Sequence, residues 1–181
     1  MRIVLLFIIT GFISCVSAKH SATGAEKSFL EKIVSEKKFE VVFDNANPLA
    51  VNRLIALEGL LPPGSNAASI NLVGNSNYFR VEKDSLSMYI PYYGEQQIAR
   101  GYNEDPGIKF NGKPSKTAIT YNSKKEAYII KYWAKSAIEN YMLTLTLYAN
   151  KSAFLSVNSS HRTNINYNGS WKELPDKLKE K

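Results

Sequence analysis

The sequence predicts a mainly β fold: an antiparallel meander curled into a lipocalin-like barrel, with one N-terminal helix packed on one end. Three observations predict it. From Ser69 onward, apolar residues recur at every second position in short runs, the period of a half-buried strand. Turn-type clusters separate these runs every ~8–12 residues. One stretch near the start instead has a period of 3.6. Strands joined so closely pair as antiparallel hairpins, and a long meander curls or closes to protect its edges. A two-sheet sandwich is the alternative. Alternation with one polar face argues against a parallel sheet covered on both sides.

The chain has 181 residues, the size of one domain. Apolar residues make up 44% and charged residues 22%. These are ordinary globular proportions, which exclude a disordered tail, a collagen-like repeat and a disulfide-stapled miniprotein. The expected divisions are a leader over 1–18, a segment with a short helix over 19–37, a β-barrel over 38–172 and a charged tail over 173–181.

Arg2 followed by the uncharged run Ile3–Ile13 reads as an export leader. As a helix it would span about 16 Å at ~1.5 Å per residue, half of a bilayer core, so it is no anchor. Two cleavage points compete. Val16-Ser17-Ala18 before Lys19 suits release of a soluble body. Phe12-Ile13-Ser14-Cys15 resembles a bacterial lipobox, with Cys15 as the lipid acceptor and Phe where Leu is usual. Lipidation would hold the body on a membrane face. The expected location is therefore exported: periplasmic, cell-envelope or secreted, and membrane-anchored only through Cys15. No later stretch is apolar enough to span a membrane, so no transmembrane segment is expected. Cys15 is the only cysteine, which leaves the mature body without disulfide, thiol nucleophile or cysteine metal site.

Residues 24–37 carry Phe29, Leu30, Ile33 and Val34 on one helical stripe. Alone this helix would be marginal, so it must dock. Phe39, Val41 and Phe43 then alternate, and Pro48 ends or bends that strand. Residues 49–60 are ambiguous between strand and short helix, and Leu61–Asn66 is a loop. Ile70 and Leu72 share a face. Phe79 and Val81, then Leu86, Met88 and Ile90, flank a tight turn at Lys83-Asp84, with Asp suited to turn geometry. Residues 116–122 and 125–134 flank Ser123-Lys124. Tyr141, Leu143, Leu145 and Leu147 line one face of the clearest strand, which turns at Asn150-Lys151 into 152–158. Residues 163–168 form the last strand, closed by Gly169, and the tail begins at Trp171.

Several stretches together carry a resemblance. They are Phe39–Phe43 with Ala46-Asn47-Pro48, and Tyr89-Ile90-Pro91-Tyr92-Tyr93-Gly94 with Ala99 and Tyr102. Gly107–Phe110, Tyr141–Tyr148 with Asn150, and Arg162 with Ile165–Gly169 complete them. Over residues 36–172 their order and spacing resemble a family of exported, often lipid-anchored proteins of Gram-negative bacteria, known as a domain of unknown function. The resemblance implies a small calycin-type, lipocalin-like barrel and an exported location. It carries no catalytic residues with it.

The net charge is +7, with an excess of lysine between Lys113 and Lys135. The plain reading is a solvated lysine face, and no nucleic-acid partner is expected. Of two histidines, His20 lies at the frayed start, and His161 follows Ser159 and Ser160 as strand neighbours that would point apart. No serine triad, metal cluster or phosphate loop is visible. Glu104-Asp105 reads as a solvated turn before Pro106. No catalytic residue, metal or cofactor is expected.

Aromatic residues are more suggestive. The chain has 11 Tyr, 8 Phe and 2 Trp. Tyr89, Tyr92, Tyr93 and Tyr102 gather about a Pro-Gly turn with Arg100 between them. Arg162 and Tyr167 would join a pocket rim if the last strand closes against the first. Tyrosines offer flat apolar area with a hydroxyl for orientation. These residues are the expected ligand contacts. The expected function is a non-enzymatic binding module for a small amphipathic molecule or saccharide, in or at the mouth of the barrel. The alternative is a filled barrel that serves as an envelope scaffold and presents a patch or edge to an envelope protein.

Overall fold

The computed structural model describes residues 22–56, 58–98 and 105–175. Helix α1 (Gly24–Glu36) opens the fold. Ten strands follow: β1 (Lys38–Pro48), β2 (Ile70–Asn71), β3 (Tyr78–Glu82), β4 (Ser85–Ile90), β5 (Ile108–Gly112), β6 (Lys116–Asn122), β7 (Ala127–Lys135), β8 (Asn140–Tyr148), β9 (Ser152–Ser159) and β10 (Ile165–Glu173). They form one sheet in the order β5-β4-β3-β1-β10-β9-β8-β7-β6, with β2 paired to β1 off this path. Every pairing is antiparallel. A single continuous sheet decides against the sandwich.

The sheet curls strongly. Phe79 of β3 meets Tyr132 of β7 with ring centroids 5.7 Å apart, although four strands separate them along the hydrogen-bonded order. The curl stops short of closure, because β5 and β6 are the two ends of that order. The molecule is thus a half-barrel rather than a closed lipocalin-like barrel. Its concave face is filled. Phe39, Val41, Phe43, Leu143, Leu145 and Tyr167 are all buried, as strand period two requires.

Helix α1 begins with a capping box: the Glu26 amide donates to Thr23 Oγ1 at 3.3 Å, and the Thr23 amide donates to Glu26 Oε2 at 2.7 Å. Such a box satisfies two amides that the helix cannot. Leu30, Ile33 and Val34 are its buried stripe. Phe29 stacks on Trp171 of β10 at 5.8 Å, and Lys27 pairs with Glu126 in the β6–β7 turn at 2.7 Å. The expected docking is therefore met across one end of the half-barrel.

Two local expectations need correction. The last strand runs through Gly169 to Glu173. A Cβ at Gly169 would stand 2.0 Å from the Val42 carbonyl oxygen, so this glycine admits a close approach of β1 rather than ending a strand. Trp171 is consequently buried core, not tail. The tight turn expected at Lys83-Asp84 joins β3 to β4, with Lys83 at a φ of 57°. The ambiguous 49–60 stretch holds the short helix α2 (Asn52–Ile55) and a 3₁₀ turn at Glu58–Leu60.

Candidate functional site

The tyrosine- and arginine-rich region forms a strap across one end of the half-barrel. After β4 the chain crosses to the β9–β10 connection, where Gln96 bridges Arg162. The Thr163 amide donates to the Glu95 carbonyl at 3.0 Å, and the Gln97 amide to the His161 carbonyl at 2.8 Å. Tyr92 is buried, with its hydroxyl 2.9 Å from the Glu95 carbonyl and 3.0 Å from that of Thr163. The Tyr167 hydroxyl donates to the Pro91 carbonyl at 2.9 Å.

Beneath the strap lies a buried ion pair. Arg162 Nε donates to Glu139 Oε1 at 2.9 Å, and both side chains are 1% exposed. The guanidinium also donates to the Pro106 and Gly107 carbonyls and stacks 4.9 Å over the Tyr92 ring. The Tyr141 hydroxyl donates to Glu139 Oε2 at 2.8 Å, and Ser159 Oγ donates to Oε1. Burial pushes the Glu139 carboxyl up; hydrogen bonds from Ser159, Tyr141 and Arg162 outweigh it and hold the carboxyl below its ordinary value.

Of the residues singled out from the sequence, the structure joins Tyr92, Arg162 and Tyr167 in this strap, with their polar atoms bonded to the protein itself. Tyr89 and Tyr93 are half-buried, and Lys109 stands 5.4 Å over the Tyr89 ring. Arg100, Tyr102 and Cys15 lie outside the described residues. Glu139 escaped the sequence reading, since nothing in its local pattern marks a buried carboxylate. Ser160 and His161 do not point apart as expected. They lie in the bend after β9, and Ser160 Oγ is 2.6 Å from His161 Nδ1. No carboxylate bonds to His161 among the described residues, and these hold no metal-binding group of three or more His, Cys, Asp or Glu.

The open seam between β5 and β6 offers two concavities. At the helix end is a cavity of about 70 Å³. Its walls include the buried side chains Val34, Phe39, Val81, Leu86 and Ile130. Tyr132 also lines it, buried, and its hydroxyl has no hydrogen-bond partner among the described residues. Burial alone pushes that hydroxyl's pKa well up, so it stays a neutral donor. Lys37, Lys83, Asp84 and Lys113 are its charged lining residues. Asp84 pairs with Lys37 at 3.1 Å and Lys113 at 3.6 Å, while Lys83 has no ion pair among the described residues. Ile119 on β6 stands beside the cavity, 42% exposed. The second concavity is an open groove of about 600 Å³ along β5, bounded opposite by Lys135, Ser136 and Ala137.

A packed antiparallel half-barrel with a lysine-rimmed seam is thus the structural class. Residues 22–171 match the family described as Domain of unknown function (DUF4251), and the chain belongs to that family. A crystal structure at 1.95 Å of a DUF4251 family protein from Bacteroides eggerthii DSM 20697 is similar, with a TM-score of 0.54 at 10% identity over 82% of this chain and 88% of that one. At that identity the likeness speaks for the fold. No curated protein matches the sequence. No helix among the described residues is long and apolar enough to cross a membrane.

Proposed function

We propose that this protein is an exported, non-enzymatic binding module whose seam cavity takes an amphipathic molecule with an anionic head. The cavity itself carries the reading. Its apolar walls favour a hydrocarbon chain. The free Tyr132 hydroxyl offers one polar anchor within, and three lysines against one aspartate leave the rim cationic. A volume of about 70 Å³ is half that of a cavity of ~150 Å³ that accepts benzene. It therefore takes the end of a chain, and the remainder lies over Ile119. The charged leader and Ile3–Ile13 support export, and fractionation of cells expressing the full chain tests it.

A thermal-shift titration of the full chain with decanoate, below its micellar concentration, tests the binding. Ligand in hundredfold excess over Kd stabilises by ~2.7 kcal/mol, a rise of several degrees in Tm. Decyltrimethylammonium should give little, and Ile119→Trp, which fills the mouth, should abolish the response. No shift with decanoate, or equal shifts with both head groups, would refute the reading.

A further inference from the structure

We propose that the groove along β5 takes an extended acidic segment of another protein as an added strand, independently of the amphiphile cavity. Two backbone edges that are unpaired among the described residues border this groove. Strand β5 is hydrogen-bonded to β4 alone among the described residues. The β6–β7 ladder stops at Trp133, where the Ser115 amide donates to the Trp133 carbonyl at 2.8 Å. Beyond it, Ala134 and Lys135 pair, among the described residues, only with Tyr141 and Asn140 of β8. About 600 Å³ separates the two edges. Unpaired strand edges are a template for another extended chain, and main-chain hydrogen bonds then supply the affinity.

The lining selects the occupant. Met88 and Phe110 belong to the inward rows of β4 and β5, whereas Lys109 and Asn111 belong to the outward row. Lys109 and Lys135 are the charged residues of the lining, with no carboxylate among them. Lys109 pairs with Asp105 at 2.8 Å, whereas Lys135 has no ion pair among the described residues, so Lys135 is the charge that an acidic occupant meets first. A second copy docking by its own β5 would offer Lys109 and Asn111 on the outward row, and no carboxylate. Residues opposite one another across a strand pair share a face. The occupant therefore carries an apolar residue opposite Phe110 and acidic residues opposite Lys109 and Asn111. Pairing along β5 spans about 17 Å at ~3.4 Å per residue.

The probe is a fluorescein-labelled peptide alternating glutamate and valine over about seven residues, a usual strand length. Its anisotropy is titrated with the full chain. The proposal expects saturable binding, weakened about tenfold by Lys135→Glu, and lost when alternate backbone amides of the peptide are N-methylated. Lys135 is exposed, so the variant should keep the native circular dichroism. As a check independent of that variant, a lysine–valine peptide should not bind the native chain. Absence of binding, equal binding of the methylated peptide, or concentration-dependent self-association in place of peptide binding would each overturn the proposal.

Discussion

Glu139 receives hydrogen bonds from Ser159, Tyr141 and Arg162 at a site from which solvent is excluded. Breaking a buried pair by removing one partner leaves an uncompensated charge and costs ~3–5 kcal/mol. Arg162→Met should therefore lower the urea midpoint severely. Adding Glu139→Gln should recover part of the loss, because the stranded charge disappears. The same groups set the acid limb. For Glu40, burial raises the carboxyl, and bonds from Arg80 and Lys172 outweigh it, so its folded value is also lowered. A carboxyl lowered on folding contributes stability that is present above its ordinary value and lost as pH falls through the folded one. Stability should hold from neutral pH down to about 5 and decline below about 4. A urea midpoint that rises on acidification would contradict this. At Gly169 the issue is steric. Gly169→Ala forces a methyl group against the Val42 carbonyl and should cost at least ~1–3 kcal/mol in chemical denaturation, the range for overpacking.

Among the elements, α1 depends most on its neighbours, since a 13-residue helix is marginal in water. Its anchor is Trp171, which stacks on Phe29 and donates Nε1–H to the Tyr148 carbonyl at 2.8 Å. Trp171→Ala should cost ~3–5 kcal/mol. Trp171→Phe keeps the ring contact and loses mainly the hydrogen bond, for ~1–3 kcal/mol. Denaturation curves separate the two, and equal losses would show that the stack contributes nothing. The alternating strands β3, β4, β8 and β9 and the stripe of α1 were legible because burial on one face writes period two or 3.6 directly into the chain. Strand β5 was not: Ile108 and Phe110 offer only two inward positions on a five-residue strand, too few to show a period. The reach of β10 past Gly169 was hidden as well. A glycine that ends a strand and one that admits a neighbouring backbone look alike in sequence. The strap tyrosines were legible as a cluster, but their direction depends on the Glu139–Arg162 pair beneath them. That pair joins residues 23 apart, which no local pattern brings together.

At the scale of the whole molecule, the curl of the sheet decides where anything can bind. Inward side chains from β1, β8 and β10 fill the concave face, and Phe79 touches Tyr132 across it. What remains open is the seam that β5 and β6 fail to close. Of its cavity lining, the sequence marked Lys113 and Thr117 only as part of a basic stretch, whereas Phe39, Val81 and Leu86 were legible as strand positions with no sign of a cavity. Binding should therefore occur at this seam and not inside the half-barrel. Mapping amide chemical-shift changes on titration with decanoate tests it most directly. Perturbations should be confined to the cavity lining around Lys83, Lys113, Thr117 and Ile119, with β8–β10 unmoved. Perturbations centred on Leu145, Leu155 and Tyr167 would instead place the ligand in the interior and contradict it.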